Sequence, residues 1–300
     1  MANSGGEKPN GRLGVVTVSY GSESVLPAFL ASVPAASSQS AVTVIADNLP
    51  TSGSVARIAK TAGAIYLAMT RNLGYGGASN QAVAALPKQI EWVLISNPDV
   101  TLGTGSIDRL IAVASQDERI AAIGPAVFNE DGSIYPSARA VPSIRTGVGH
   151  AMFVNIWPKN PWSRRYRIDS DDDQVARDTG WLSGSCLLVR RSAFDEIGGF
   201  DEGYFMYFED VDLGYRLGKR GYINRYEPTA KVTHSGAHST TSSISASAKM
   251  IAEHHKSAKR FLSKKYSGPV LWPLRIALTT GLNIRSKVLS NRVRKSGGSD

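Results

Sequence analysis

From Leu13 to Phe128, short apolar runs alternate with segments whose apolar residues recur at helical spacing. Leu13–Tyr20 (LGVVTVSY), Ala41–Asp47 (AVTVIAD), Ala64–Leu67, Glu91–Ser96 (EWVLIS) and Ile120–Phe128 read as strands buried on both faces. Ser24–Val33, Gly53–Ala62, the Ala-rich Tyr75–Leu86 and Ser106–Ser115 read as the helices between them. This alternation predicts βαβ units: an α/β, Rossmann-like, mostly parallel sheet flanked by helices. Ligands of such sheets gather at the carboxyl ends of the strands. That edge holds Tyr20, Asp47 and Asn97–Asp99.

The pattern then breaks. Residues 129–178 are polar and Pro-containing and read as a long mobile loop. Its Asp171–Asp172–Asp173 run follows no apolar strand and sits beside Arg164, Arg165 and Arg167, so it reads as charge-paired loop rather than metal site. Order returns at Thr179–Arg190. A helix over Arg191–Ile197, another over Tyr207–Gly218, and short strands at Tyr222–Tyr226 and Lys231–His234 follow, then a basic helix over 244–265. The expected organisation is a disordered stretch 1–12, one α/β domain over 13–243, and a basic helical tail over 244–300. Within the domain, the loop separates halves 13–128 and 179–243.

Composition narrows the class. The 300 residues are 42% hydrophobic and 20% charged, which suits a globular core and excludes collagen, coiled coil and a disordered chain. The single cysteine, Cys186, forms no internal disulfide and points to a reducing compartment. The polar N-terminus lacks the apolar core of a signal peptide, and no uncharged apolar run reaches the roughly 18 residues of a membrane span. The net charge of +9 is uneven: residues 256–300 hold eleven Lys/Arg and one acid, Asp300, so the rest of the chain is close to neutral. An anionic partner for the tail follows, either a membrane surface or nucleic acid. No recognisable DNA or RNA module is present, and the Trp-containing apolar stretch Val270–Ile284 lies between basic flanks, which favours an anionic bilayer. A packed helix with a solvated basic face is the plainer alternative.

Four clusters carry candidate chemistry. Ser96-Asn97-Pro98-Asp99 closes a strong strand, where Asp99 can hold a hard cation or simply cap a turn. Around Glu209-Asp210-Val211-Asp212, three acids sit among aromatics at a helix start. Asp212 lies four before Arg216 and can pair with it, whereas Asp210 has no such local partner. Burial and neighbouring acids raise a carboxyl pKa there, as a general base requires, while the helix N-terminus lowers it. Arg71–Asn80 (RNLGYGGASN) combines three Gly with two Asn ahead of a helix, fit for a close backbone approach to an anion or sugar, or for a simple loop. His234 ends a short strand and is either a metal ligand or a structural histidine.

Taken together and in this order, Val16–Ser22 (VTVSYGS), Ala46–Asn48, Arg71–Asn80, Ser96–Asp99, Trp181–Phe194, Gly198–Leu217 (GGFDEGYFMYFEDVDLGYRL) and Thr233–Gly236 resemble the inverting family 2 glycosyltransferases. The likeness extends to their bacterial rhamnosyltransferase branch, including the actinobacterial enzymes of the cell-wall arabinogalactan linker. It covers roughly residues 13–236, and GGFDE–EDVDL is its most specific part. It implies a GT-A fold and a cytoplasmic enzyme peripheral on the inner face of the plasma membrane. The implied reaction moves L-rhamnose from dTDP-L-rhamnose to polyprenyl-diphosphate-N-acetylglucosamine. By the resemblance, Ser19, Tyr20, Asp47, Arg71, Asn72, Gly74, Asn80 and Asn97 bind the donor. Asp99 and His234 hold Mg²⁺ or Mn²⁺, and Asp210 is the catalytic base. Trp181, Gly184 and Glu209 meet the acceptor, and Asp212 is a structural carboxylate. Asn97 stands where many members carry an Asp, so one anionic contact is absent.

The chemistry agrees. Displacing a nucleoside diphosphate calls for charge stabilisation of the leaving group and one base for the acceptor hydroxyl. It does not need the acid–base pair of glycoside hydrolysis. A UDP-sugar donor stays open, because Asp47 can pair with uracil or thymine alike. A sugar nucleotidyltransferase would need a basic Gly-rich loop after the first strand, which is missing. A non-catalytic nucleotide-binding scaffold would not need Asp99, Asp210 and His234 together.

Overall fold

The computed structural model describes residues 12–143, 174–236, 244–273, 276–277 and 279–281, with backbone alone at 244–249. The disorder expected at the N-terminus, the acidic 171–173 run with most of its loop, and the tail beyond 281 lie outside the described residues.

The first half runs β1 (Leu13–Ser19), α1 (Leu26–Ala36), β2 (Ala41–Asp47), α2 (Ser54–Thr61), β3 (Ile65–Ala68), α3 (Gly74–Ala84), β4 (Trp92–Ser96), β5 (Val100–Leu102), α4 (Ser106–Ala114) and β6 (Ile120–Phe128). The second half runs β7 (Ile134–Tyr135), β8 (Ala138–Arg139), β9 (Arg177–Thr179), β10 (Trp181–Leu182), β11 (Cys186–Arg190), α5 (Arg191–Glu196), α6 (Glu209–Lys219), β12 (Ile223–His234) and α7 (Ile244–Lys265). The main sheet has the order β3-β2-β1-β4-β11-β6-β12-β5, with β7 beside β6 and β9 beside β12. β8 and β10 form a separate two-stranded ribbon.

Every residue of β1 is buried, because side chains alternate between two covered faces. Leu13 and Val15 join Leu26, Phe29, Val55 and Ile107 from α1, α2 and α4. Val16 and Val18 join Ala78, Phe194 and Leu213 from α3, α5 and α6. Burying one such side chain, Phe29 for example, contributes about 1.5–3 kcal/mol. β1 pairs in parallel with β2 and β4, setting Ser19 opposite Asp47 and Thr17 opposite Ser96. The carboxyl ends of β1 and β2 are therefore level, and β4 ends two residues earlier.

The fold departs from the sequence pattern in four places. β5, β7 and β8 are two or three residues long, too short to show an alternation. Thr179–Arg190 divides into β9, β10 and β11, and β11 inserts antiparallel between β4 and β6. The strands expected at Tyr222–Tyr226 and Lys231–His234 are one strand, β12, whose register shifts between Glu227 and Lys231, around Pro228. α1 continues through Pro34, which forfeits a single hydrogen bond near the helix end.

α7, placed by sequence in the tail, packs on the domain. Phe261 is fully buried, with its ring 5.8 Å from Phe208 and 5.6 Å from Tyr215.

Candidate active site

Asp99 and His234 are far apart in sequence and meet because β12 runs antiparallel to β5. That register sets His234 opposite Val100, and the Ser235 amide donates to the Asp99 carbonyl at 3.1 Å. Asp99 Oδ1 then lies 3.0 Å from His234 Nε2, and Asn97 Nδ2 lies 3.4 Å from the same nitrogen. The 3.0 Å separation is an ordinary hydrogen-bond contact, and it equals the roughly 3.0 Å between adjacent ligands of an octahedral cation with bonds of about 2.1 Å. Among the described residues no group of three His, Cys, Asp or Glu forms a metal cluster. A cation held here would take its remaining oxygens from a diphosphate and water, the usual habit of Mg²⁺.

The second cluster opens α6. Asp210 Oδ2 accepts a 3.0 Å hydrogen bond from the Gly184 amide, and Oδ1 accepts one of 2.8 Å from the Val211 amide. Burial raises the Asp210 pKa, and these amides together with Arg139 partly oppose it. Glu209 beside it is buried, and its Oε2 has no hydrogen-bond partner. Burial first, and the Asp210 charge second, push its pKa up to about 8, a shift that favours the protonated form. The two clusters share a hinge point in the lead-in to β11: Gly184 donates to Asp210, while the next residue, Ser185, accepts the Asn97 amide at 2.9 Å.

Asp212 is fully buried and serves structure. Its Oδ2 accepts from Arg216 Nε at 2.5 Å and its Oδ1 from Lys264 Nζ at 2.6 Å. A buried carboxylate requires such partners.

The third group sits at the ends of β1 and β2. Asp47 is buried, accepting from the Leu49 amide and from Tyr66 Oη, both at 3.0 Å. Asn48 ties this edge to the Gly-rich turn, donating to the Gly74 carbonyl at 3.0 Å and accepting from the Leu73 amide at 3.2 Å. Asn72 accepts from the Gly74 amide at 2.9 Å. Gly74 adopts a φ of 73°, and a Cβ there would lie 2.1 Å from the Phe205 carbonyl oxygen. Only glycine fits. Tyr20 and Arg71 are exposed at the same edge.

Three expected contacts take a different form. Asn80 commits its amide to the backbone of Phe200, accepting from the nitrogen and donating to the oxygen, both at 2.9 Å. It braces the Gly198–Glu202 turn, with Nδ2 also 3.2 Å from Glu202 Oε1. Ser19 is wholly buried with its hydroxyl unpartnered, so it underlies the edge rather than lining it. Trp181 donates its indole N–H to the Ala140 carbonyl at 3.1 Å, and the Arg139 guanidinium lies over its ring, 5.7 Å from the centroid.

Two residues were missed by sequence reasoning. Tyr75, inside the quoted GYGG turn, donates to the Gly184 carbonyl at 2.5 Å. Burial raises its pKa well above the usual value, with Glu209, Cys186, Asp210 and Asp99 adding to the rise. Arg139 lies in the two-residue β8, where no pattern announces it, and its charge lowers the Asp210 pKa.

An apolar-walled cavity of about 360 Å³, lined by Val141, Tyr215, Tyr222 and Lys265 among others, lies behind α6. It contains none of the carboxylates above.

The family model of glycosyltransferase-like family 2 matches residues 9–252. The chain is 44% identical over 299 residues to the N-acetylglucosaminyl-diphospho-decaprenol L-rhamnosyltransferase of Mycobacterium tuberculosis (strain ATCC 25618 / H37Rv), covering 94% of this chain and 96% of that one. It is 31% identical over 199 residues to the rhamnosyltransferase WbbL of Escherichia coli (strain K12), covering 64% of this chain and 71% of that one. Among solved structures it is similar to the mannosyltransferase PcManGT from Pyrobaculum calidifontis in complex with GDP-Man and Mn²⁺, with a TM-score of 0.56 and 14% identity, covering 96% of this chain and 76% of that one.

Proposed function

Because this chain belongs to glycosyltransferase family 2 and has its GT-A fold, we propose that it is a metal-dependent, inverting L-rhamnosyltransferase. Its donor is dTDP-L-rhamnose and its acceptor a hydroxyl of N-acetylglucosaminyl-diphospho-polyprenol. The observation that carries the mechanism is the pair of clusters fastened to adjacent residues, Asp210 on Gly184 and Asn97 on Ser185.

In this reading Asp210 removes the proton of the acceptor hydroxyl. Its burial and raised pKa make the carboxylate a stronger base than an exposed one. Glu209, protonated, adds no second negative charge where the acceptor must approach. Asp99 and His234 would hold Mg²⁺ or Mn²⁺, which would supply Lewis-acid stabilisation to a departing diphosphate. Asp47 and the Asn48–Gly74 tie hold the nucleotide end, with Tyr20, Arg71, Asn72 and Asn97 around the donor. Trp181 and Gly184 form the acceptor wall.

The donor and acceptor assignments are supported by the name and the 44% identity of the mycobacterial relative. A bound cation is supported by the Mn²⁺ in the mannosyltransferase structure and by the Asp99–His234 spacing. Peripheral attachment to the inner face of the membrane is supported by Val270, Trp272 and Ile276, all more than half exposed beside a basic helix. No helix among the described residues is long and apolar enough to cross a membrane.

The test is turnover. Purified protein, Mg²⁺ or Mn²⁺, and a short polyprenyl-diphosphate-N-acetylglucosamine are incubated with dTDP-rhamnose or with UDP-sugars, and products are read by mass. A gain of one deoxyhexose from dTDP-rhamnose, abolished by chelator, is expected. Transfer only from a UDP-sugar overturns the donor assignment. Donor hydrolysis without transfer overturns the acceptor.

A further inference from the structure

We infer that α7, the first helix of the basic C-terminal region, is a positioning element for the catalytic carboxylate. The inference rests on the reading of Asp210 as the base. The segment Asp201–Phe208 leads directly into Glu209 and Asp210, and it is held between two helices. On one side the start of α3 presses against it, with Gly74 packed on the Phe205 carbonyl. On the other side α7 grips it along its length.

The grip has three kinds of contact. Arg260 and Lys264 reach Asp201 at 2.8 and 2.7 Å, and Lys264 also bonds Asp212 inside α6. Ser257 Oγ donates to the Met206 carbonyl at 2.8 Å. The His254 ring sits 5.4 Å from both Tyr207 and Phe208 in edge-on contact, and Phe261 backs Phe208.

The gripped residues are the ones that need support. Tyr207 and Phe208 both have a φ of 68°, and they are the only non-glycine residues with positive φ among those described. Two consecutive bulky residues do not hold left-handed geometry unaided; the surroundings must impose it. Their turn sets where α6 begins and where Asp210 points. Arg260 and Lys264 therefore face the active-site segment, whatever the rest of the basic region binds.

The geometry predicts a loss in kcat rather than in donor binding. The full-length variants Lys264→Met and His254→Ala are assayed for rhamnosyl transfer with Asp210→Asn alongside. Both α7 variants should lose about tenfold or more in kcat, as expected of a displaced reacting group. The donor KM should stay within about twofold. Lys264→Arg should recover most of the loss, and the pairing on the outer face should tolerate Lys256→Gln. The exposed His254 keeps the test alive if Lys264→Met fails to fold. Normal kcat in His254→Ala, and in Lys264→Met where it folds, with Asp210→Asn inactive, overturns the positioning role alone. An active Asp210→Asn overturns the assignment of the base itself.

Discussion

The amide of Gly184 donates a 3.0 Å hydrogen bond to Asp210 Oδ2. The bond joins the lead-in of β11 to the first turn of α6, so the base is fixed by the sheet as well as by its own helix. Losing the Asp210 charge alone is the sharpest test of its role. Asp210→Asn keeps the shape and should lower kcat by about 10²–10⁴-fold, while dTDP affinity, measured by calorimetry, stays at the wild-type value.

The Asp99–His234 pair predicts a metal phenotype. Asp99→Asn removes the anionic donor and should raise the Mn²⁺ concentration for half-maximal turnover by at least about 10-fold, the smallest loss usual even for an outer-shell partner. His234→Ala should shift the same titration in the same direction. Unchanged Mn²⁺ curves in both variants would remove the cation from this site.

Glu209 predicts how stability depends on pH. Its folded pKa is raised from 4.5 to about 8, so the native state holds a proton that the unfolded state has released across that window. Stability is fully present below the unfolded pKa and is lost as pH rises towards and through about 8. Thermal melts of the wild type should therefore fall between pH 5 and pH 8, beyond the change in Glu209→Gln, whose slope should be flatter. Parallel slopes in the two proteins would count against a protonated Glu209.

Cys186 is buried in β11, and burial pushes its thiol up to about 12. The thiolate is the reactive form. Native protein at pH 8 should resist alkylation by iodoacetamide and take up one equivalent after denaturation, counted by mass. Rapid labelling of the folded protein would contradict this placement.

The sheet edge was legible in the sequence because its strands are long and apolar. Ala41–Asp47 and Ile120–Phe128 fall where the pattern places them, and Asp47 and Asn97–Asp99 end on one edge as the βαβ rule requires. The pairing of Asp212 with Arg216 followed from i,i+4 spacing and is present. What stayed hidden depends on contacts between distant segments. Nothing local announces that Asn80 will brace Phe200, that Arg139 will sit near Asp210, or that His254 will meet Tyr207 edge-on. The start of α6 also shifted, from Tyr207 to Glu209, because helical periodicity does not reveal two left-handed residues.

The antiparallel insertion of β11 has a consequence for how the chain matures during synthesis. β4 and β6 are both apolar, and each finds β11 on the flank that it turns to the middle of the sheet. Until Cys186–Arg190 emerges, β4 lacks a partner on that flank and β6 has only the two-residue β7, although the units from β1 to β4 are complete. Open apolar edges recruit other chains, and pairing across such sequence separation is slow. A nascent chain stalled near residue 180 therefore leaves the inner flank of β4 open, Cys186–Arg190 covers it, and β6 still waits for β12 on its other side.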